Sequence, residues 1–420
     1  MPTPSKDFEV AIVGGGMCGL ACAVALVNVG IKVTIFEAAP KFDEVGAGVG
    51  LGSNALRALN GLGLLEAVLQ KADQHSPRLR LFEFISGTGE HETIFDYLES
   101  CGEHGNKGVG MYRPDFLDAL VPLLDPNTIQ FNKRCTSVHQ RNSNQLLGFA
   151  DGTTHEADLV IGADGIKSAV RNSAFGQYDT RLGFSGSYAY RGLVPIEALK
   201  AAGVTAQIEM RPICWVGLHR HLITFPIKNN TMLNIVAFSN NDTGISLLPE
   251  RSHPWVEVVP ARELLECYQG WGPDVVTILK SIKNPSRWSI HTLYPPLPTF
   301  VSGRIALVGD AAHGMTPHLG AGVGQGFEDV YTLCRLLGHS VTQKSNLDSV
   351  LAVYNELRPP RANMVLQRSL EAGQIYESYA PDKYHKEKMR QHLSGIWEPV
   401  WNHDLETQVA VAMKDMDNIL

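Results

Sequence analysis

The stretch Val10-Ala11-Ile12-Val13-Gly14-Gly15-Gly16-Met17-Cys18-Gly19 decides the first half of the fold. Val10 to Val13 is a short apolar run rich in β-branched residues, the texture of a strand buried inside a parallel sheet. Gly14, Gly16 and Gly19 then follow the G-x-G-x-x-G spacing. The first glycine permits a tight turn, the second lets the backbone approach a pyrophosphate, and the third lets the next helix lie close to the strand. Leu20 to Val29 is the expected helix, ended by Gly30. Its N-terminus offers free N–H groups and a partial positive charge to phosphate. Ile31 to Phe36 reads as a second strand, and Glu37 at its end stands close to the spacing expected of an acid that accepts from ribose hydroxyls. A carboxylate there suits an adenosine ribose and disfavours a 2′-phosphate. Glycines alone carry little weight; strand, glycines, helix, strand and acid in this order predict a dinucleotide-binding unit.

A second signature lies near the other end: Gly303-Arg304-Ile305-Ala306-Leu307-Val308-Gly309-Asp310-Ala311-Ala312-His313, followed by Pro317-His318-Leu319-Gly320-Ala321-Gly322. Ile305 to Val308 is another buried strand delivering an acid into a small-residue turn. The glycine-rich turn then opens a helix expected from about Gln325 to Leu337, again with backbone N–H groups available to an anion. This arrangement resembles the second FAD motif, G-D-A-A-H-x-x-x-P, of the class A flavoprotein monooxygenases. Asp158 to Arg171, with Asp164-Gly165 at its turn, is similar to their D-G motif, and Met111 to Leu117 to the segment whose arginine touches the FAD pyrophosphate. Tyr190-Arg191-Gly192, His221 to Ile227 and Trp401 to Asp404 extend the resemblance over essentially the whole chain. Among class members the pattern is similar to salicylate hydroxylases and fungal dearomatising phenol hydroxylases.

The resemblance implies an α/β fold: a Rossmann-like FAD-binding domain of the GR2 type, a mostly antiparallel β-sheet substrate domain, and C-terminal helices. Because the two motifs sit at opposite ends, the FAD domain must be discontinuous, expected over 1–75, 100–178 and 285–365. The substrate domain is expected over 76–99 and 179–284, where strands such as 188–194, 214–218, 221–227 and 232–238 follow one another with short connections. Helices are expected over 366–420. No second complete glycine fingerprint is present for a nicotinamide domain. In this class NADH or NADPH binds transiently, reduces the flavin and leaves; the reduced flavin then transfers oxygen through a C4a-hydroperoxide.

Composition agrees with a globular enzyme. The chain has 420 residues, enough for two domains, with 44% hydrophobic and 19% charged residues. A net charge of −7 excludes a broad basic face for nucleic acid. No apolar run reaches membrane-span length and no signal peptide is read at the start. Seven scattered cysteines lack metal-ligand spacing, so no metal is expected, and a reducing cytoplasmic setting follows. A monomer or homodimer is expected.

The cofactor-binding residues implied are Gly14, Gly16, Gly19, Glu37, Arg113, Asp164, Asp310, Gly320, Ala321 and Gly322. On the substrate side, a cation or donor near a phenol oxygen favours the phenolate and so raises ring nucleophilicity. His318, beside Pro317 at the flavin ring, is the first candidate to orient substrate; the alternative is a histidine that braces its turn. Arg191 matches the arginine associated with phenolate stabilisation in the dearomatising relatives, and a guanidinium suits a carboxylate or phenolate; the alternative is a structural ion pair. His221 is the third catalytic candidate. Tyr190, Trp215, Phe225 and Pro317 are expected to line the pocket. Position 225 is Phe where the dearomatising relatives carry Tyr, which weakens that reaction and leaves an aromatic wall for a small ring.

The function expected from the resemblance is hydroxylation of a small phenolic aromatic, salicylate or a related hydroxybenzoate, with salicylate losing CO2 to give catechol. The alternatives are a biosynthetic hydroxylase of a larger phenolic or polyketide, a non-enzymatic FAD-binding module used for redox sensing, and an oxidase that releases peroxide.

Overall fold

The structure, a computed structural model, describes residues 6–42, 48–71, 81–97, 108–176, 178, 181–241, 244–247, 254–380 and 382–419. The apolar run after the polar start forms strand Glu9–Val13, which lies between two parallel neighbours, Lys32–Phe36 and Leu159–Gly162. Being covered on both faces, Val10 to Val13 are buried throughout, which is why the run does not alternate. Ile305–Leu307 joins parallel to Leu159–Gly162, and Val301–Ser302 and Ile129–Gln130 close the edges of a six-stranded sheet. Helices Met17–Asn28 and Gly322–Gly338 pack on this sheet and against each other. A three-stranded antiparallel sheet, Cys135–Arg141, Asn144–Phe149 and Thr154–Ala157, and the pair Gly48–Leu51 with Val109–Tyr112 complete this half.

The second half is an eight-stranded sheet in the order Val256–Val258, Ser286–Tyr294, Arg181–Pro195, Met232–Asn240, Arg220–Ile227, Ile213–Gly217, Glu83–Ser86 and Thr93–Asp96. Its pairings are antiparallel except that of Ile213–Gly217 with Glu83–Ser86, which is parallel. The strands expected at 188–194, 221–227 and 232–238 are present and longer, and the one expected at 214–218 runs from Ile213 to Gly217. One boundary differs. Strand Ser286–Tyr294, assigned from the sequence to the FAD-domain return beginning at 285, pairs antiparallel with Arg181–Pro195 and belongs to the second sheet; the chain re-enters the first sheet only at Val301.

Alternation gives the second sheet two distinct faces. Tyr190, Trp215, Leu222, Leu233, Ile235 and Ala237 form an outer core with Leu264 and Ile278 of the covering helices and Ile282 just beyond them. Ala189, Ile223, Val236, Phe238, Trp288 and Ile290 cluster on the inner face. A continuous helix, Leu347–Tyr376, runs across the expected boundary at 365/366 and carries Pro359 and Pro360 within it. Its C-terminal part, together with helices Lys383–Leu393 and Glu398–Trp401, packs against Phe84, Cys214 and Leu319.

Candidate active site

The first glycine turn has the form a dinucleotide requires. Gly14 has φ +101°, and a Cβ there would lie 2.4 Å from the Ala163 carbonyl oxygen. A Cβ on Gly19 would lie 2.0 Å from the Gly14 carbonyl oxygen, so only hydrogen lets helix Met17–Asn28 approach its strand. Around Gly16 the reverse holds: a Cβ would meet nothing within 4 Å, and no side chain caps the helix N-terminus beside it. This is an open cradle with free N–H groups, fitted to a pyrophosphate. Glu37 stands at the end of the second strand, accepting from the Gly15 N–H through Oε2 at 2.7 Å and from the Ala39 N–H through Oε1 at 2.8 Å. Each oxygen retains a lone pair for a ribose hydroxyl.

Asp310 is exposed at the start of the short helix Asp310–His313, its Oδ1 3.9 Å from where a Cβ on Gly322 would lie. Gly322 opens helix Gly322–Gly338, preceded by Ala321, which offers no side-chain cap, and by Gly320 at φ +60°. Burial first, then Asp310 and Asp329, push the Cys18 thiol up while Arg113 opposes them, so both Arg113 and Asp310 act electrostatically at the first glycine turn. The two motifs therefore converge from opposite ends of the chain, and these residues would hold FAD. Asp164 is placed differently: Oδ1 accepts from Ser168 Oγ at 2.5 Å, and Oδ2 from the N–H groups of Ala169 and Val170. It caps the short helix Ala169–Ala174, which holds the D-G turn in shape.

Beneath the flavin turn lies a buried ionic network. His313 Nε2 is 2.6 Å from Asp329 Oδ2, which also accepts from the Gly309 N–H at 2.9 Å. Arg358, fully buried, donates to Asp329 at 2.8 Å and to Glu328 at 3.0 Å; Arg361 joins at Glu328 and donates onward to the carbonyls of Pro399 and Val400. Although burial opposes ionisation, Arg358 and Arg361 hold the Glu328 carboxyl down at about 2. The network ties the flavin turn to the C-terminal helices.

The substrate-side candidates separate by strand parity. Arg191, His221 and Phe225 all lie on the inner face. Arg191 is stacked 4.8 Å from the Trp288 ring centroid, and its buried Nε has no hydrogen-bond partner among the described residues. Burial lowers its pKa first, and Arg113 adds to the effect. Phe225 packs over Gly48, where a Cβ would fall 2.8 Å from its ring, and pairs across the sheet with Asn234. His221 stacks on Phe238 at 4.3 Å and meets His318 edge-on at 5.2 Å. His318 arrives from the Pro317–Gly320 turn, which is anchored by Ser369 and by Trp397 Nε1 donating to the Leu319 carbonyl at 3.1 Å. Burial above all, then His221, lowers the His318 pKa to about 3, so its ring is neutral and serves as a hydrogen-bonding group rather than a base.

Tyr190 and Trp215 are corrections to the expected pocket. Tyr190 occupies the outer face and donates to Glu263 at 2.9 Å. Trp215 pairs with Leu222, so it too points outward, where its Nε1 donates to Thr224 at 3.1 Å. Having selected Arg191 for the pocket, alternation already sends Tyr190 the other way; Trp215 needed the register of the hairpin. Sequence reasoning also missed Trp288, Gly373, Asn240 and Glu377. A Cβ on Gly373 would fall 2.5 Å from His318 Cδ2, so this helix glycine makes room for the ring. Glu377 lies against His221, with Oε1 3.1 Å from Nδ1. A surface cleft of about 1000 Å³ lined by Ser86, Glu92, Lys386 and Arg390 contains none of these residues, and among the described residues no cluster of metal ligands is found.

The FAD binding domain family matches the chain over residues 7–265 and 271–369. A salicylate hydroxylase of Pseudomonas putida is 41% identical, covering 98% of this chain and 96% of that protein. The 6-methylsalicylate 1-monooxygenase of Aspergillus terreus is 33% identical over 97% of this chain and 92% of its own length. A solved salicylate hydroxylase substrate complex superposes with a TM-score of 0.84 at 33% identity, covering 97% of this chain and 98% of that one. A Klebsiella pneumoniae HpxO structure complexed with FAD and uric acid shares the fold at a TM-score of 0.74 and 23% identity. With both FAD motifs folded into one cradle and this likeness running the full length, the chain belongs to the class A FAD-dependent aromatic monooxygenases.

Proposed function

We propose that this enzyme hydroxylates a small phenolic carboxylate, salicylate or a related hydroxybenzoate, with NADH or NADPH and O2 as co-substrates, salicylate losing its carboxyl as CO2 to give catechol. The observation that carries this reading is Arg191. It is a half-buried guanidinium on an apolar face, its Nε buried, with no carboxylate neutralising it among the described residues. A partly desolvated cation without a counter-ion favours an anion from the ligand. Arg191 pairs with Val236, Val236 with Ile223, and His221 lies two residues from Ile223. The span from Arg191 to His221 is thus roughly 10 Å across and 7 Å along the sheet, room for one ring between a carboxylate anchor and the histidines.

Bound FAD supplies the oxygen-transfer chemistry. The chain's residues anchor the anion at Arg191, orient the phenol by His318, and exclude water with Ile223, Phe225, Val236 and Phe238. Phe225 lacks a hydroxyl to position a larger phenol, which supports the single-ring substrate over a polyketide. The six described cysteines are free, which supports a cytoplasmic setting, and no described helix is long and apolar enough to cross a membrane. A product screen of hydroxybenzoates against alkylated resorcinol aldehydes tests the reading. Oxygenated hydroxybenzoate products are expected; turnover of the resorcinol aldehydes alone would replace the small acid with a biosynthetic phenol.

A further inference from the structure

We propose that Glu377 is a positioning residue which prepares His221, paired edge-on with His318, to take the proton of the substrate's phenol. The inference rests on the proposed phenolic substrate and assigns a role to a residue that no sequence motif marks.

The arrangement is ordered from the sheet outward. His221 is fully buried between the parallel ring of Phe238 and the edge-on rings of Tyr376 and His318. Its carbonyl accepts from Tyr268 Oη at 2.8 Å, fixing the backbone. Glu377 follows the last turn of helix Leu347–Tyr376 and is held on the sheet from two sides: Asn240 Nδ2 donates to Oε2 at 2.8 Å, and the His219 N–H donates to its carbonyl at 2.7 Å. Oε1 is left for His221 Nδ1. A carboxylate at Nδ1 selects the tautomer in which Nδ1 carries the hydrogen and Nε2 keeps its lone pair. Among the described residues that buried Nε2 has no partner, and neither does the buried Nδ1 of the touching His318 ring. Two adjoining imidazoles each with a buried, unfilled nitrogen are incomplete as a purely structural pair; a hydroxyl, or a water joined to one, completes them.

Charge supports the direction of transfer. Burial opposes its ionisation, yet His221, His318 and Asn240 hold the Glu377 carboxyl below the usual carboxylate range. The groups facing the pair from the other packed elements are Cys214, Tyr268 and Tyr376, all raised by burial and therefore neutral, and Arg220 lies next to His221 in its strand, alternating to the opposite face. In the proposed step the phenol O–H bond breaks, its electron pair stays on oxygen, and the proton forms an N–H bond at His221 Nε2. The resulting imidazolium is stabilised by the Glu377 carboxylate behind it.

The test uses FAD-loaded enzyme and 5-nitrosalicylate, whose phenol and phenolate differ in colour. Its apparent ionisation pH is measured while bound, with benzoate affinity as the control for a pocket that merely deforms. Glu377→Gln is expected to shift ionisation of the bound phenol toward alkaline pH by about one unit, with benzoate affinity within roughly threefold; Glu377→Asp restores part of the shift. His221→Gln, a second variant should Glu377→Gln not fold, shifts it in the same direction. An unchanged ionisation pH in flavin-replete Glu377→Gln or His221→Gln overturns the proposal while leaving the phenolic reading intact. Failure of the wild-type enzyme to bind 5-nitrosalicylate overturns that reading, and the proposal with it.

Discussion

The Arg191 guanidinium lies over Trp288, 4.8 Å from its ring centroid, on the inner face of the second sheet. Trp288 belongs to the strand hydrogen-bonded beside Arg191, with Ala189 directly opposite it, so the indole holds the cation without neutralising it. Arg191→Ala is expected to lower kcat/KM for hydroxybenzoates on the order of 10- to 100-fold, the worth of one charged hydrogen-bonding partner, while FAD is retained. Arg191→Lys should rescue poorly, because an ammonium loses the planar stack and the two-pronged contact. Steady-state kinetics with flavin content measured in parallel checks both; unchanged kinetics would make Arg191 structural.

Gly14→Val should abolish FAD retention. The position has φ +101°, and its Cβ would stand 2.4 Å from the Ala163 carbonyl oxygen; a β-branched residue meets both obstacles. The absorbance ratio of purified variant and wild type reads this directly, and a yellow, flavin-replete Gly14→Val contradicts it.

The neutral His318 carries a pH signature. Its folded pKa, lowered from 6.5 to about 3 mainly by burial, means the unfolded chain binds a proton that the folded protein refuses between those values. Stability therefore falls as pH drops from 6.5 toward 3, and this contribution is fully present only above 6.5. Urea unfolding across this range should show a shallower pH slope for His318→Gln than for wild type. An identical slope would mean that His318 titrates normally.

Arg358 is the hinge of the buried network under Gly309. Arg358→Ala leaves Glu328 to Arg361 alone and Asp329 to His313 alone at a fully buried site, and breaking a buried ion pair in this way costs about 3–5 kcal/mol. Chemical denaturation of the apoprotein should show a loss of that order; a loss below about 1 kcal/mol would show that the carboxylates protonate or rearrange at little cost.

Much of the cofactor half was legible because its signals are local. Gly14, Gly16 and Gly19 stand beside the strand and helix they serve, and Asp310 and Gly322 lie in one continuous stretch of chain. Glu37 carries meaning only because a strand precedes it. The substrate half was legible in part. His221 and Arg191 could be chosen by pattern, but which face they share depends on strand register, and Trp215 was misplaced for that reason. Tyr190 was an avoidable error, since neighbours in one strand cannot both face the same pocket. Glu377 was invisible: it reaches His221 from 156 residues away, in a helix end with no motif, and only the packing of that helix on the sheet brings them together.

The central claim is tested most directly by NAD(P)H consumption of the purified, FAD-loaded protein, with and without salicylate, with catechol, CO2 and peroxide quantified together. The account predicts stimulated consumption with catechol and CO2 formed near stoichiometrically. Consumption that salicylate and related hydroxybenzoates do not stimulate, or that yields peroxide in place of oxygenated product, would contradict it.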